Sequence, residues 1–279
     1  MNPTWLIEAG VYRDEADLLL SEIRRQGMIG SIVPHGSLKA GASLAIDGQP
    51  VPPDRCVIGY GTFPFARQIQ LHHEWAPGAW CDAEKLDCST YFAYYGKYLL
   101  NQHYAIMPGV EAIRQSDWVF TVFGVDDEVF ARPAGCQKHF VGRCVHSESF
   151  AAALSPTRYD PATQVVIAAP KEIGREWRLI VAEDKVIAAS QYSEDGTKSI
   201  AAGCPVEVLD FAAAILADVS WRPDPIFMMD ICESKGRLWL VELNGFSCSW
   251  LYQCDLSDVV RKASELAIRQ WQTLSPRAT

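Results

Sequence analysis

The sequence predicts a small α/β leader followed by α+β lobes. Three observations carry that expectation. The first third alternates short apolar runs with an amphipathic segment, the rhythm of β-α-β units. From about residue 116 extended segments predominate, with helical patterns set apart from them. The 279 residues are roughly 1.9 times the ~150-residue prior for one domain, enough for two lobes and a sizeable core without disulfides.

Taken in order, Trp5-Leu6-Ile7-Glu8 reads as a short strand. Asp14 to Arg25 carries Ala16, Leu19, Leu20 and Ile23 at helical spacing, and Gly27 follows as a stop. Strands resume at Gly30 to Val33 and at Cys56 to Gly61, with the Pro-rich stretch Gly48 to Pro53 expected as a surface loop. Cys88 to Gln102 reads as a helix whose aromatic stripe is core rather than a cofactor box. Beyond it the extended segments are Trp118 to Phe123, Glu128 to Arg132, Gln164 to Ala168, Glu176 to Ala182, Val186 to Tyr192, Ile226 to Cys232 and Leu238 to Leu243. Helices are expected at Ser147 to Leu154, Val206 to Ala217 and Leu256 to Gln272. No internal repeat or low-complexity tract interrupts them.

Composition narrows the function classes. Lys+Arg 25 against Asp+Glu 34 gives −9, which argues against gripping nucleic acid or an anionic membrane by bulk charge, though not against a local basic pocket. The longest apolar run, Phe211 to Ala217, is far short of a membrane span, and the N-terminal residues meet acids at once, unlike a signal peptide. A cytoplasmic protein is expected. Nine cysteines include no C-x-x-C pair, so reduced, buried thiols are expected rather than zinc or disulfides. The adjacent His72 and His73 diverge in an extended segment and make no ready chelating pair.

Three constellations carry chemistry. In Pro225 to Gly245 two strands flank a turn at Glu233 to Arg237. Met228, Asp230 and Cys232 share a face; Leu240, Glu242 and Asn244 share one on the second strand. With an odd number of turn residues, Asp230 and Glu242 meet on adjacent strands, where two carboxylates repel. A divalent cation turns that repulsion into a site, with Asn244 as a neutral oxygen ligand; such hard donors suit Mg²⁺ that also binds phosphate. A solvated strand face accounts for either acid alone, but poorly for acids among Met228, Met229, Leu240 and Leu243.

The second constellation is the strand ending at Arg132-Pro133 and the loop through Gly135 and Lys138 to Gly142. Backbone amides of a Gly-bearing loop approach phosphate closely, and Arg132 and Lys138 supply positive charge. Its spacing is not that of a Walker A loop, and two cations on a surface hairpin are also common. In the third, Glu176 and Arg178 share a strand face opposite Trp177 and Leu179. They form either an ion pair of ~1 kcal/mol or less or a clamp for ribose and phosphate on a concave face.

In this order the segments resemble the ATP-grasp superfamily of carboxylate-activating ligases, in particular the divergent clade named for two arginines and one lysine. The resemblance spans about residues 110–279. It implies two α+β lobes sandwiching ATP (residues 106–279, divided near 168–172), preceded by a pre-ATP-grasp domain over 1–105. It implies that Arg132, Lys138 and Arg178 contact the phosphates, with Arg178 and Lys138 as the catalytic cations. Ala169, Pro170 and Lys171 would read the adenine, Glu176 would hold the ribose, and Asp230, Glu242 and Asn244 would hold Mg²⁺. Ser247 and Ser249 would lie near the acceptor. The implied reaction is ATP-dependent ligation of a small-molecule or peptide carboxylate to an amine or thiol through an acylphosphate. A kinase on the same fold and a catalytically silent nucleotide-binding module are the alternatives, separated by product and turnover.

Overall fold

The computed structural model describes residues 2–12, 15–36, 38, 45–46, 49–52, 54–71, 75–137, 140–155, 160 and 162–274. The chain begins with β1 (Thr4–Glu8), α1 (Glu15–Arg25) and β2 (Ile29–Val33), followed by a two-strand ribbon, β3 (Ala45–Ile46) and β4 (Gln49–Pro50). Then come β5 (Cys56–Tyr60), α2 (Phe63–Leu71) and β6 (Ala76–Gly78). Strands β2-β1-β5-β6 form one sheet whose pairs are all parallel. That is the β-α-β leader expected, and it explains why every residue of β1 and β5 is buried: a parallel sheet covered on both faces needs continuous apolar runs. The expected loop at Gly48 to Pro53 instead contributes Gln49–Pro50 to the ribbon; Gly48 and Pro53, like Asp14, His72 and His73, lie outside the described residues.

Helix α3 (Cys88–Tyr95) is capped by the Asp87 carboxylate, which accepts from Ser89 N at 2.8 Å. It is shorter than the expected helix to Gln102. After a 3₁₀ turn at Gly96–Tyr98 the backbone turns extended: Leu100 N donates to Leu240 O at 2.8 Å, a tertiary bond that outcompetes the next helical turn.

The second sheet has the order β7-β10-β8-β9. It is built from β7 (Tyr104–Pro108), β8 (Glu128–Pro133), β9 (Arg143–His146) and β10 (Gln164–Ala168), with α4 (Gly109–Arg114), α5 (Ser116–Phe123) and α6 (Ser147–Ala153). The segment expected as a strand at Trp118 to Phe123 is therefore helix α5. Its buried residues are Val119 and Phe123, four apart, while Trp118 and Val122 are exposed; a run that is apolar almost throughout carries no usable period. This sheet has its own core, including Ala112, Val119, Val129, Phe150 and Val165.

The third sheet, β13-β12-β11-β14-β15, comprises β11 (Arg175–Ala182), β12 (Lys185–Glu194), β13 (Thr197–Ala202), β14 (Ile226–Ser234) and β15 (Arg237–Gly245). Helix α7 (Val206–Asp218) covers one face, and α8 (Leu256–Leu274) closes the chain. One core runs from Leu6 and Val57 through Tyr91 to Trp177, Met229 and Leu243. Another joins Trp5 and Leu19 to Ile180 and Met228 and to Val260 of α8; there Trp5 Nε1 donates to the buried Ser264 Oγ at 3.1 Å. The C-terminal helix thus completes the N-terminal sheet. No helix among the described residues is long and apolar enough to cross a membrane.

Candidate functional site

The hairpin β14–β15 places the acids. Its turn has two residues, Lys235 (φ +50°) and Gly236 (φ +71°), with Ser234 opposite Arg237. An even turn would not by itself satisfy the sequence argument. A bulge supplies the odd residue: Ile231 pairs with Leu240 and Asp230 with Glu242, leaving Val241 unpaired. The two carboxylates therefore stand opposite each other, and Asn244 stands opposite Met228. The bulge also corrects one detail. Leu240 leaves the face of Glu242 and joins Leu243 in the core, because the extra residue breaks the two-residue alternation.

Each acid meets an arginine from a distant strand. Arg178 on β11, opposite Asp230 on β14, grips it bidentately: Nε donates to Oδ1 at 2.9 Å and Nη2 to Oδ2 at 2.7 Å. Its Nη1 donates to Trp250 O at 3.0 Å. Arg132, on β8 of the second sheet, reaches Glu242 Oε2 at 2.6 Å. Asn244 Nδ2 bridges the acids, donating to Glu242 Oε1 at 2.8 Å and Asp230 Oδ2 at 3.2 Å. Burial alone would lower both guanidinium pKa values, yet the facing carboxylates hold Arg178 and Arg132 above the ordinary arginine range. Two arginines thus balance the repulsion for which sequence reasoning invoked a cation.

Glu176 does not pair with Arg178. It accepts from Tyr192 Oη at 2.9 Å, and burial raises its pKa against hydrogen bonds from Tyr192 and Ser193. Lys171, Glu176, Tyr192 and Glu242 line one cavity of about 480 Å³, with Phe130 and Arg132 of β8 and, just before β9, Gly142 on its other side. Arg178, Asp230 and Asn244 stand behind that wall, linked to it through Glu242. Ala169 and Pro170 lie in the segment joining β10 to β11, without lining the cavity; Lys171 Nζ donates to Ala169 O at 3.2 Å. Burial, then Lys235, lowers the Lys171 pKa. Lys138 lies outside the described residues. Ser247 Oγ is committed to Trp80 N at 2.9 Å, and Ser249 O accepts from Tyr60 Oη at 2.7 Å; this loop docks on the leader sheet.

Sequence reasoning missed the aromatic wall beside Arg178. Tyr192 stacks on Tyr252 at 5.3 Å, and Tyr252 on Trp250 at 4.9 Å, with the Arg178 guanidinium 5.3 Å from the Tyr252 ring. The signal available was the aromatic pair Trp250 and Tyr252 just beyond Asn244. None of the nine cysteines is in a disulfide, but Cys144 on β9 is exposed and Cys136, Cys204 and Cys248 are half-buried, so the expected burial holds for five of them.

No group of three or more His, Cys, Asp or Glu among the described residues is placed to hold a metal ion. The converging oxygens are instead those of two carboxylates, with the Asn244 amide Nδ2 between them donating to both. That oxygen-rich set fits Mg²⁺, which is bound through one or two carboxylates plus substrate phosphates. The same amide bridging both acids shows that they point at one spot.

Two antiparallel sheets that face each other across a cleft, behind a parallel leader, form the architecture of ATP-grasp proteins. Residues 111–262, more than half of the chain, match the ATP-grasp domain model for the second family of the clade named for two arginines and one lysine, and the chain belongs to that family. Among solved structures, D-cycloserine synthetase DcsG is similar with a TM-score of 0.63 at 13% identity, covering 95% of this chain and 99% of that one. D-alanyl-alanine synthetase A from Vibrio cholerae gives 0.61 at 14% identity, with 98% of each chain covered. The ATP-grasp ligase PsnB complexed with a minimal precursor gives 0.58 at 16% identity, covering 97% and 100%. No curated protein matches by sequence.

Proposed function

We propose that the protein is an ATP- and Mg²⁺-dependent ligase that activates a carboxylate for attack by an amine, with the leader over residues 1–105 and the nucleotide-binding unit over 106–279. The observation that carries this reading is the Arg132–Glu242 pair, which reaches across the cleft from one sheet to the other beside Arg178–Asp230. Arg132 is the group a polyphosphate needs, and Glu242 is the group its cation needs. In the present state each serves as the other's partner. Asp230, Glu242 and Asn244 would hold Mg²⁺, which neutralises phosphate charge. Arg132 and Lys138 would take phosphate oxygens, Glu176 the ribose, and the segment Ala169-Pro170-Lys171 the base. Arg178, fixed by Asp230, would meet the charge that develops on the transferred group.

The chemistry then needs no protein nucleophile. The substrate carboxylate displaces ADP from the γ-phosphorus, and the amine displaces phosphate from the resulting acyl group. The protein's part is to align two anionic partners and exclude water. The similar structures named for peptide precursors and for D-alanyl-alanine support an amino-acid or peptide substrate.

Calorimetry of ATP with Mg²⁺ tests the site. Glu242→Gln is expected to weaken Mg²⁺-dependent binding about tenfold or more, and unchanged binding removes Glu242 from the metal set. Product analysis with pooled acids and amines separates outcomes: an amide with ADP and phosphate supports ligation, while a stable phosphorylated product makes the protein a kinase.

A further inference from the structure

The nucleotide reading uses none of the nine cysteines, yet three of them meet. Cys81 follows β6 in the leader, Cys136 follows β8, and Cys248 ends the 3₁₀ turn Phe246–Cys248 beyond β15. Cys81 Sγ lies 2.7 Å from Cys248 Sγ, across 167 residues of chain, and the Cys136 thiol hydrogen-bonds with Cys81 as well. No C-x-x-C spacing marks this cluster, because its members come from three separate units of the fold.

The backbone fixes the pair Cys81 and Cys248. Trp80 N donates to Ser247 Oγ at 2.9 Å and Ser247 N to Trp80 O at 3.1 Å, so the residues just before the two cysteines are tied reciprocally. Gly245 leaves room for the approach, since a Cβ there would lie 2.8 Å from Cys81 Sγ. A disulfide bond is about 2.05 Å long, so joining the two sulfurs asks for less than about 1 Å of movement. The described residues place no three such side chains to hold a metal ion, which leaves thiol chemistry as what the cluster offers. Exposure then divides the roles. Cys81 is buried, and its contacts with Cys136 and Cys248, then burial, raise its pKa. It stays a thiol at neutral pH, and the first attack falls to the half-buried Cys248.

We propose that Cys81 and Cys248 form a reversible disulfide when the protein meets a peroxide. The Cys248 sulfur attacks one peroxide oxygen and the O–O bond breaks, giving a sulfenic acid and one water. The Cys81 sulfur then attacks the sulfenic sulfur; the S–O bond breaks, and hydroxide leaves with the Cys81 proton as a second water. Both sulfurs are oxidised, and the peroxide is reduced to two waters. None of the three cysteines lines the cavity of about 480 Å³. The bridge instead fastens the exit of β15 to the leader. Trp250 O, two residues beyond Cys248, accepts from Arg178 Nη1 at 3.0 Å, so the fastened segment is the one that anchors Arg178.

The test is peptide mapping of the native protein after hydrogen peroxide, with the remaining thiols alkylated. The expected product is a bridge between the peptides of Cys81 and Cys248, with two hydrogens lost from the intact mass and both regained with dithiothreitol. Cys136→Ser should keep that bridge and Cys248→Ser should lose it. Closing so long a loop should also raise the urea midpoint of the oxidised wild type, and not that of Cys248→Ser. A wild-type bridge from Cys81 to Cys136 overturns the assignment, as do oxygen adducts on Cys248 without any bridge. A lowered urea midpoint in the bridged protein overturns it too, since the bond would then be damage to the joint. Mapping of the wild type decides the pairing even if a variant fails to fold. ATP affinity plays no part in these measurements, so a failure here leaves the nucleotide site standing.

Discussion

The Tyr60 hydroxyl has one proton and two acceptors, the Glu15 carboxyl and Ser249 O at 2.7 Å. Both contacts are satisfied only if Glu15 carries a proton of its own, donating to Tyr60 while Tyr60 donates to Ser249. Burial pushes Glu15 up to about 7, against the hydrogen bonds that Tyr60 Oη and Leu251 N donate to its ionised form. Asp224 is likewise raised to about 7 by burial, with the Asp82 charge adding to it. For an acid with a raised folded pKa, the unfolded chain ionises first. Its contribution to stability is full below the unfolded value near 4.5 for glutamate and is lost as pH rises through about 7. Each group accounts for up to about 3 kcal/mol over that window. Urea unfolding at pH 5 and pH 7.5 should show higher stability at pH 5, and Glu15→Gln should remove about half of the difference. A slope untouched by the substitution would mean that Glu15 is ionised in the folded protein. Little of this was legible in the sequence, because Glu15 reads as an ordinary first-turn acid until Tyr60 and Leu251 close over it.

Among the elements, the β14–β15 hairpin decides the site. Its acids, its asparagine and its two strands were readable from residue types and alternation, and their pairing was expected. The bulge at Val241 was not, since a single extra residue leaves no mark on a nine-residue strand. Lys235 holds φ +50° in the turn, a conformation that costs an L-residue roughly 1–2 kcal/mol, while Gly236 beside it has no Cβ to clash. Asn tolerates that region best among residues with a Cβ, and Asn-Gly is the preferred pair for such turns. Lys235→Asn is therefore expected to stabilise the fold by about 0.5–1 kcal/mol in chemical denaturation, and a loss of stability would show that Lys235 makes a compensating contact. The same hairpin ends at Gly245, where a Cβ would lie 2.8 Å from Cys81 Sγ and 3.0 Å from Cys81 Cα; only glycine lets the leader approach so closely.

Over the whole molecule, two of the three cores cross the chain from end to end, while the third lies within the lobe of β7 to β10. A segment with a private core can open without unfolding the rest. Amides of β7, β8 and β10 are expected to exchange faster, as a group, than those of β11 and β14. ATP with Mg²⁺, bound to both lobes, should slow them. Equal exchange in all sheets without ligand would mean one cooperative unit.

By itself the sequence determined most of the elements, the α/β leader and which acids and arginines gather at the cleft, while α5, the end of α3 and the β3–β4 ribbon escaped it. What it determined follows from local rules: alternation, helical spacing and the cost of burying an unpaired acid. Only the tertiary structure decided which charges neutralise each other. Arg178 and Asp230 meet because β11 and β14 are neighbours, and Arg132 and Glu242 because two sheets face across a cleft. A carboxylate's partner is whichever cation the fold brings within about 3 Å, and chain separation sets no limit on that choice.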